Sequence, residues 1–184
     1  MTRSSLHLIT GGARSGKSRN AHLLALKLGV NRIFVATAQA YDGEMQQRIE
    51  LHQSERGDAY RTIEASRDLP GSLSLLEDRV DVILIDCLTL WISNLLFEDL
   101  NDAEITKRIL SGLDIARQKA SHVILVSNEV GFGIVPENAL ARRFRDLNGR
   151  LQQLIAASAD TLYLACMGRV LPLHHLGLSF EESL

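Results

Sequence analysis

Gly11-Gly12-Ala13-Arg14-Ser15-Gly16-Lys17-Ser18 fits the pattern G-x-x-x-x-G-K-[ST] and lies between an apolar run and an amphipathic one. This placement admits few folds. Glycines let the backbone coil so tightly that several N–H groups converge on phosphate oxygens, where a Cβ would crowd the ligand. Lys17 is placed to reach the β- and γ-phosphates, and the Ser18 hydroxyl to hold Mg²⁺. A helix starting at the loop adds the positive end of its dipole to the same anion. Upstream, Leu6 to Thr10 reads as a short strand; downstream, Ala21, Leu24, Ala25 and Leu28 recur at helical spacing. Strand, glycine loop and helix arrive in the order a nucleotide-phosphate cradle needs.

The rest of the chain repeats that rhythm. Further strands are predicted at Arg32 to Thr37, Tyr60 to Glu64, Val80 to Asp86, His122 to Ser127 and Thr161 to Cys166. Helices are predicted at Lys17 to Leu28, Gly43 to Glu55, Asp68 to Glu77, Leu90 to Phe97, Asp102 to Lys119 and Glu137 to Ser158. Strands that are continuous apolar runs, alternating with helices, predict an α/β fold of the P-loop NTPase-like type, a mostly parallel sheet with helices on both faces. Its ligands collect at the C-terminal ends of the strands. The length of 184 residues, with no repeat or linker, predicts one P-loop domain over 1–184. The 20 basic and 22 acidic side chains nearly cancel, which argues against a nucleic-acid or membrane-surface protein. No apolar run approaches the roughly 18 residues of a membrane span, and Met1 to Ser5 lacks a signal peptide's apolar stretch, so a cytoplasmic location is expected. Cys87 and Cys166 end apolar runs without metal-site spacing and are expected to be buried thiols.

Several side chains carry chemistry in this frame. Asp86 closes the run Val80 to Ile85, the pattern of a carboxylate that holds Mg²⁺ at a strand end or caps the next helix. Thr89 suits either role. Arg48, His52 and Arg56 are spaced i, i+4, i+8, which sets one imidazole between two guanidiniums. Cationic neighbours favour neutral imidazole, and the arginines suit a polyphosphate; the alternative is a solvated helix face. Glu129 follows the run Val123 to Val126, where it can orient water, metal or an acceptor hydroxyl, or serve a turn. Arg142 and Arg145 share a helix face that Arg143 does not, so only part of the basic segment with Arg150 can meet one phosphate. Trp91 and Phe97 are expected in the core.

Taken together, these motifs resemble one family. Leu8 to Arg19, Val35-Ala36-Thr37-Ala38-Gln39, Asp42 with Glu44-Met45 and Arg48-Ile49 leading to His52, Asp86 to Trp91 with Ser93 to Leu96, Ser127 to Gly131, Gly133 to Asn138, and Phe144-Arg145-Asp146 with Gly149-Arg150 are similar to the bifunctional adenosylcobinamide kinase/adenosylcobinamide-phosphate guanylyltransferases. The resemblance spans roughly residues 6 to 168. It implies phosphorylation of adenosylcobinamide by ATP or GTP, and then transfer of GMP from GTP through a guanylyl-histidine. His52 matches that histidine, and Lys17 and Glu129 would act beside it. Nucleotide contacts are expected from Arg48, Glu64 and Asp86 and Mg²⁺ on Ser18 and Asp86, and the resemblance further implies a homotrimer. Where the family often reads His-Arg-x-x-Arg-Pro and then Trp, this chain has His52-Gln53-Ser54-Glu55-Arg56-Gly57 and then Tyr60. The tail pair His174-His175 lacks a Cys or Asp partner at ligand spacing.

Overall fold

The computed structural model describes residues 4–39, 43, 57–98 and 100–173. Its strands are β1 (Ser5–Gly11), β2 (Arg32–Ala36), β3 (Arg61–Glu64), β4 (Val80–Asp86), β5 (Ala120–Asn128), β6 (Thr161–Cys166) and β7 (Arg169–Pro172). They form one seven-stranded sheet in the order β3-β2-β4-β5-β1-β6-β7, parallel throughout except for the β6–β7 hairpin. The described helices are α1 (Lys17–Leu28), α2 (Leu69–Ser74), α3 (Leu88–Leu96), α4 (Asp102–Lys119) and α5 (Ala139–Ser158). A 3-10 turn covers Gly57–Ala59.

Alternation along each strand divides the interior into two cores. Leu6 and Leu8, Ile33 and Val35, Ile83 and Ile85, and Val123 and Leu125 face α2 to α5, where Leu69, Trp91, Ile109 and Leu151 complete the larger core. Ile9, Phe34, Val82, Leu84, Ile124 and Val126 face α1 through Ala21 and Ala25. Both faces are therefore covered, as the apolar runs require.

Several expectations change. The edge strand β7 is absent from the sequence reading; its four residues alternate between exposed and half-buried, and the run ends at Pro172. The helix expected over Asp68 to Glu77 is one short helix, capped by the Asp68 side chain accepting from the Gly71 N–H. Leu75 lies past its end and is exposed. Phe97 follows the last turn of α3 and is 66% exposed, so it is not a core residue, whereas Trp91 is fully buried. Cys87 is buried and Cys166 exposed, both as free thiols; Cys166 points outward beside the hairpin turn while Ala165 takes the inward position. Among the described residues, no helix is long and apolar enough to cross a membrane.

At the N-terminal edge of the sheet, far from the phosphate loop, the His7 ring sits between Thr161 Oγ1 at 2.7 Å and His122 Nδ1 at 3.3 Å. Burial, then the charge of His122, lower its pKa from 6.5 to about 4, against a pull upward from Asp160. The folded state thus disfavours the protonated ring that the unfolded chain accepts near pH 6.5. His7 contributes its stability fully above that pH and loses it as pH falls toward 4. Wild type should lose about 1 to 2 kcal/mol more than His7→Gln between pH 7 and pH 5 in urea unfolding. Equal losses would contradict this.

Candidate functional site

The phosphate loop leaves β1, an interior strand between β5 and β6, at the sheet's C-terminal edge. The backbone bends through positive φ at Arg14 (57°) and Gly16 (89°). At Gly11 a Cβ would stand 2.5 Å from the Ala165 carbonyl oxygen, and at Gly16 it would stand 2.8 Å from Gly168 Cα. Both positions therefore require glycine for space, and Gly16 also for conformation. Gly168 N–H donates to the Ser15 carbonyl at 2.9 Å, and Asn20 Nδ2 donates to the Gly168 carbonyl at 3.2 Å. The β6–β7 hairpin thus braces the loop from one side. Its turn, Met167-Gly168, has positive φ at both residues, the geometry of a two-residue hairpin. An apolar strand followed by Met-Gly was the signal that could have revealed it.

Inside the loop, Lys17 is 9% exposed and donates from Nζ to the Gly12 carbonyl at 3.1 Å. Ser15 Oγ is buried and has no hydrogen-bond partner among the described residues. A buried hydroxyl without a partner, in a loop of converging N–H groups, fits an anion that supplies the missing acceptor. Helix capping points the same way. α2, α4 and α5 have their first N–H groups accepted by Asp68, Asn101 and Asn138 side chains, whereas α1 and α3 have no side-chain cap. The two helices without caps are those that begin at the phosphate loop and just after Asp86.

Asp86 ends β4, two strand positions from β1 and hence about 10 Å across the sheet. Burial pushes the neighbouring Cys87 thiol up to about 12, helped by the Asp86 carboxylate and opposed by Lys17. Asp86 does not cap α3; Cys87 occupies that position. Ser18, in the first turn of α1, and Asp86 offer hard oxygen donors of the kind Mg²⁺ takes.

Thr37, Asn94, Asn148 and Gln152, to which the sequence analysis gave no individual role, hold this edge together with Thr89. Thr37 is fully buried between the ends of β2 and β4, its hydroxyl donating to the Cys87 carbonyl at 2.8 Å and accepting from Cys87 N–H at 2.6 Å. Asn94, 2% exposed, donates from Nδ2 to the carbonyls of Thr37 and Ser66, both at 2.8 Å. Thr89 Oγ1 accepts from Asn128 N–H at 2.7 Å, which ties α3 to β5. From α5, Asn148 and Gln152 donate to the Asn128 carbonyl, each at 3.1 Å.

Glu129 lies beside the loop: its N–H donates to the Gly11 carbonyl at 3.0 Å, and its carboxylate accepts from Gly131 N–H at 2.6 Å. The turn role anticipated for it is therefore present. Glu64 ends β3 at the same edge but four strand positions from β1, about 19 Å away. Arg48 and His52, with the expected helix beyond Gly43, lie outside the described residues, as do His174 and His175. The arginines of α5 already have partners: Arg143 and Arg150 share Asp102, Arg145 pairs with Asp146, and Arg142 donates to the Pro136 and Glu137 carbonyls.

A glycine phosphate loop at the end of an interior strand of a mostly parallel sheet, with a strand-end carboxylate two positions away, defines a nucleotide-binding protein of the P-loop class. An ATPase from the type III secretion system of pathogenic bacteria shares this fold, at a TM-score of 0.55 and 11% identity over 97% of this chain and 60% of that one. The chain belongs to the cobinamide kinase / cobinamide phosphate guanyltransferase family, whose model matches residues 7–173. It is 38% identical over 173 residues to the bifunctional adenosylcobalamin biosynthesis protein CobU of Escherichia coli (strain K12), spanning 88% of this chain and 95% of that one. Against the corresponding protein CobP of Pseudomonas aeruginosa it is 41% identical over 166 residues, spanning 90% and 95%.

Proposed function

We propose that this chain carries out two successive transfers in cobalamin assembly. With ATP or GTP it phosphorylates the hydroxyl of the aminopropanol arm of adenosylcobinamide, and it then moves GMP from GTP onto that phosphate to give adenosylcobinamide-GDP. The observation that carries the reading is a built phosphate loop, with orphaned Ser15 Oγ and uncapped α1, in a chain of this family. In the kinase step the acceptor hydroxyl oxygen attacks the γ-phosphorus and the nucleoside diphosphate leaves. Loop N–H groups and Lys17 hold the phosphates, and Glu129 orients the acceptor hydroxyl. Ser18 and Asp86 hold Mg²⁺, which when bound offsets phosphate charge.

In the second step a neutral His52 nitrogen attacks the α-phosphorus of GTP and pyrophosphate leaves. An oxygen of the corrinoid phosphate then attacks the same phosphorus, the P–N bond breaks and His52 is restored. Arg48 and Glu64 contact the nucleotide. The working enzyme is a homotrimer, as the family resemblance implies.

Product analysis tests this directly. Cobinamide incubated with Mg²⁺, ATP and GTP should gain first one phosphate and then GMP in mass spectrometry. Accumulation of the phosphate alone would leave a monofunctional kinase, and no product with GTP bound would leave a nucleotide-binding regulatory module.

A further inference from the structure

Between β5 and α5 the chain runs through Val130-Gly131-Phe132-Gly133-Ile134-Val135-Pro136, a stretch without a charged side chain. Phe132 is 87%, Ile134 96% and Val135 61% exposed. Single exposed apolar residues are ordinary, but three within four positions form a patch that water disfavours. The patch begins at the phosphate loop itself. Asn128 is in register with Gly11, and the next residue, Glu129, donates its N–H to the Gly11 carbonyl. On the other side of the same loop the hairpin turn exposes Met167. By contrast, Val30, also highly exposed, precedes β2 and so lies at the opposite edge of the sheet.

We propose that the segment Val130 to Pro136 is the surface on which the corrin ring of the acceptor rests. The inference rests on the function proposed above and says where that substrate sits. The kinase step brings the aminopropanol hydroxyl of the acceptor to the γ-phosphate held by the phosphate loop, so in that step the macrocycle lies on surface near the loop. Its periphery of methyl groups and neutral carboxamides asks for apolar contact without charge, which this segment offers. The arginines of α5 beyond it are bound to Asp102, Asp146 and backbone carbonyls, so they form no competing anion site. A second copy of the chain is the rival occupant, and the sedimentation mass measured below tells the two apart.

The test compares wild type, Phe132→Ser/Ile134→Ser and Val30→Ser in the kinase step with cobinamide as acceptor, alongside GTP affinity and sedimentation mass. Both loop side chains are solvent-exposed, so the double variant keeps its core. It should raise KM for cobinamide at least tenfold, with kcat within about twofold and GTP affinity and mass unchanged; Val30→Ser should match wild type. An unchanged KM while wild type phosphorylates cobinamide would overturn this proposal alone. A KM change accompanied by a fall in mass would assign the patch to contact between copies and overturn it too. A wild type that never phosphorylates cobinamide would overturn the proposed function and this surface with it.

Discussion

Lys17→Ala should lower both transfers by about 10² or more in kcat/KM, because it removes a preorganised cation from where phosphate charge develops. Lys17 Nζ donates to the Gly12 carbonyl and its charge also bears on the Cys87 thiol, so urea unfolding of the variant is measured alongside the kinetics to separate a lost phosphate contact from a lost fold. Lys17→Arg should not restore activity, since a planar guanidinium does not fit where a compact ammonium approaches phosphates. Steady-state kinetics of each step check this, and activity within tenfold of wild type would contradict the role given to Lys17.

Trp91→Ala should have the largest effect on stability, about 3–5 kcal/mol in urea unfolding. The indole is fully buried between α3 and α4, and its Nε1 donates to the Arg67 carbonyl at 3.0 Å. Opposite it, a Cβ on Gly112 would stand 2.6 Å from Trp91 Cη2, so helix and ring are fitted to each other. Truncation leaves a large cavity and strips the Arg67 carbonyl of its donor. α3 also carries Thr89 and Asn94, so this packing supports the frame of the candidate site. A loss below 1 kcal/mol would show that the core closes around the gap.

The phosphate loop, the inner strands and the strand-end positions of Asp86 and Glu129 were legible in the sequence because each depends on local pattern. An apolar run followed by a polar residue marks a strand's end wherever that strand sits in the sheet. The Thr37 clasp was not legible. Its bonds to Cys87 and Asn94 exist because β2 lies beside β4 with α3 following, an adjacency that no local pattern states. β7 and its brace on the loop escaped for a related reason: four half-exposed residues after a Met-Gly turn carry little periodic signal. Exposure was also misjudged where chain direction, not residue type, decides it. Phe97 falls just beyond a helix end and Cys166 just before a turn, and both face water. The α5 arginines looked available for phosphate until the fold supplied Asp102, forty-one positions upstream of Arg143.

The proposed guanylyl-histidine on His52 can be trapped by labelling. Wild type and His52→Ala are incubated with Mg²⁺ and GTP labelled at the α-phosphate, denatured, separated and exposed to acid or alkali. Wild type should carry an acid-labile, alkali-stable label and His52→Ala none. An unlabelled wild type that binds GTP, or equal labelling of the variant, would contradict the covalent step.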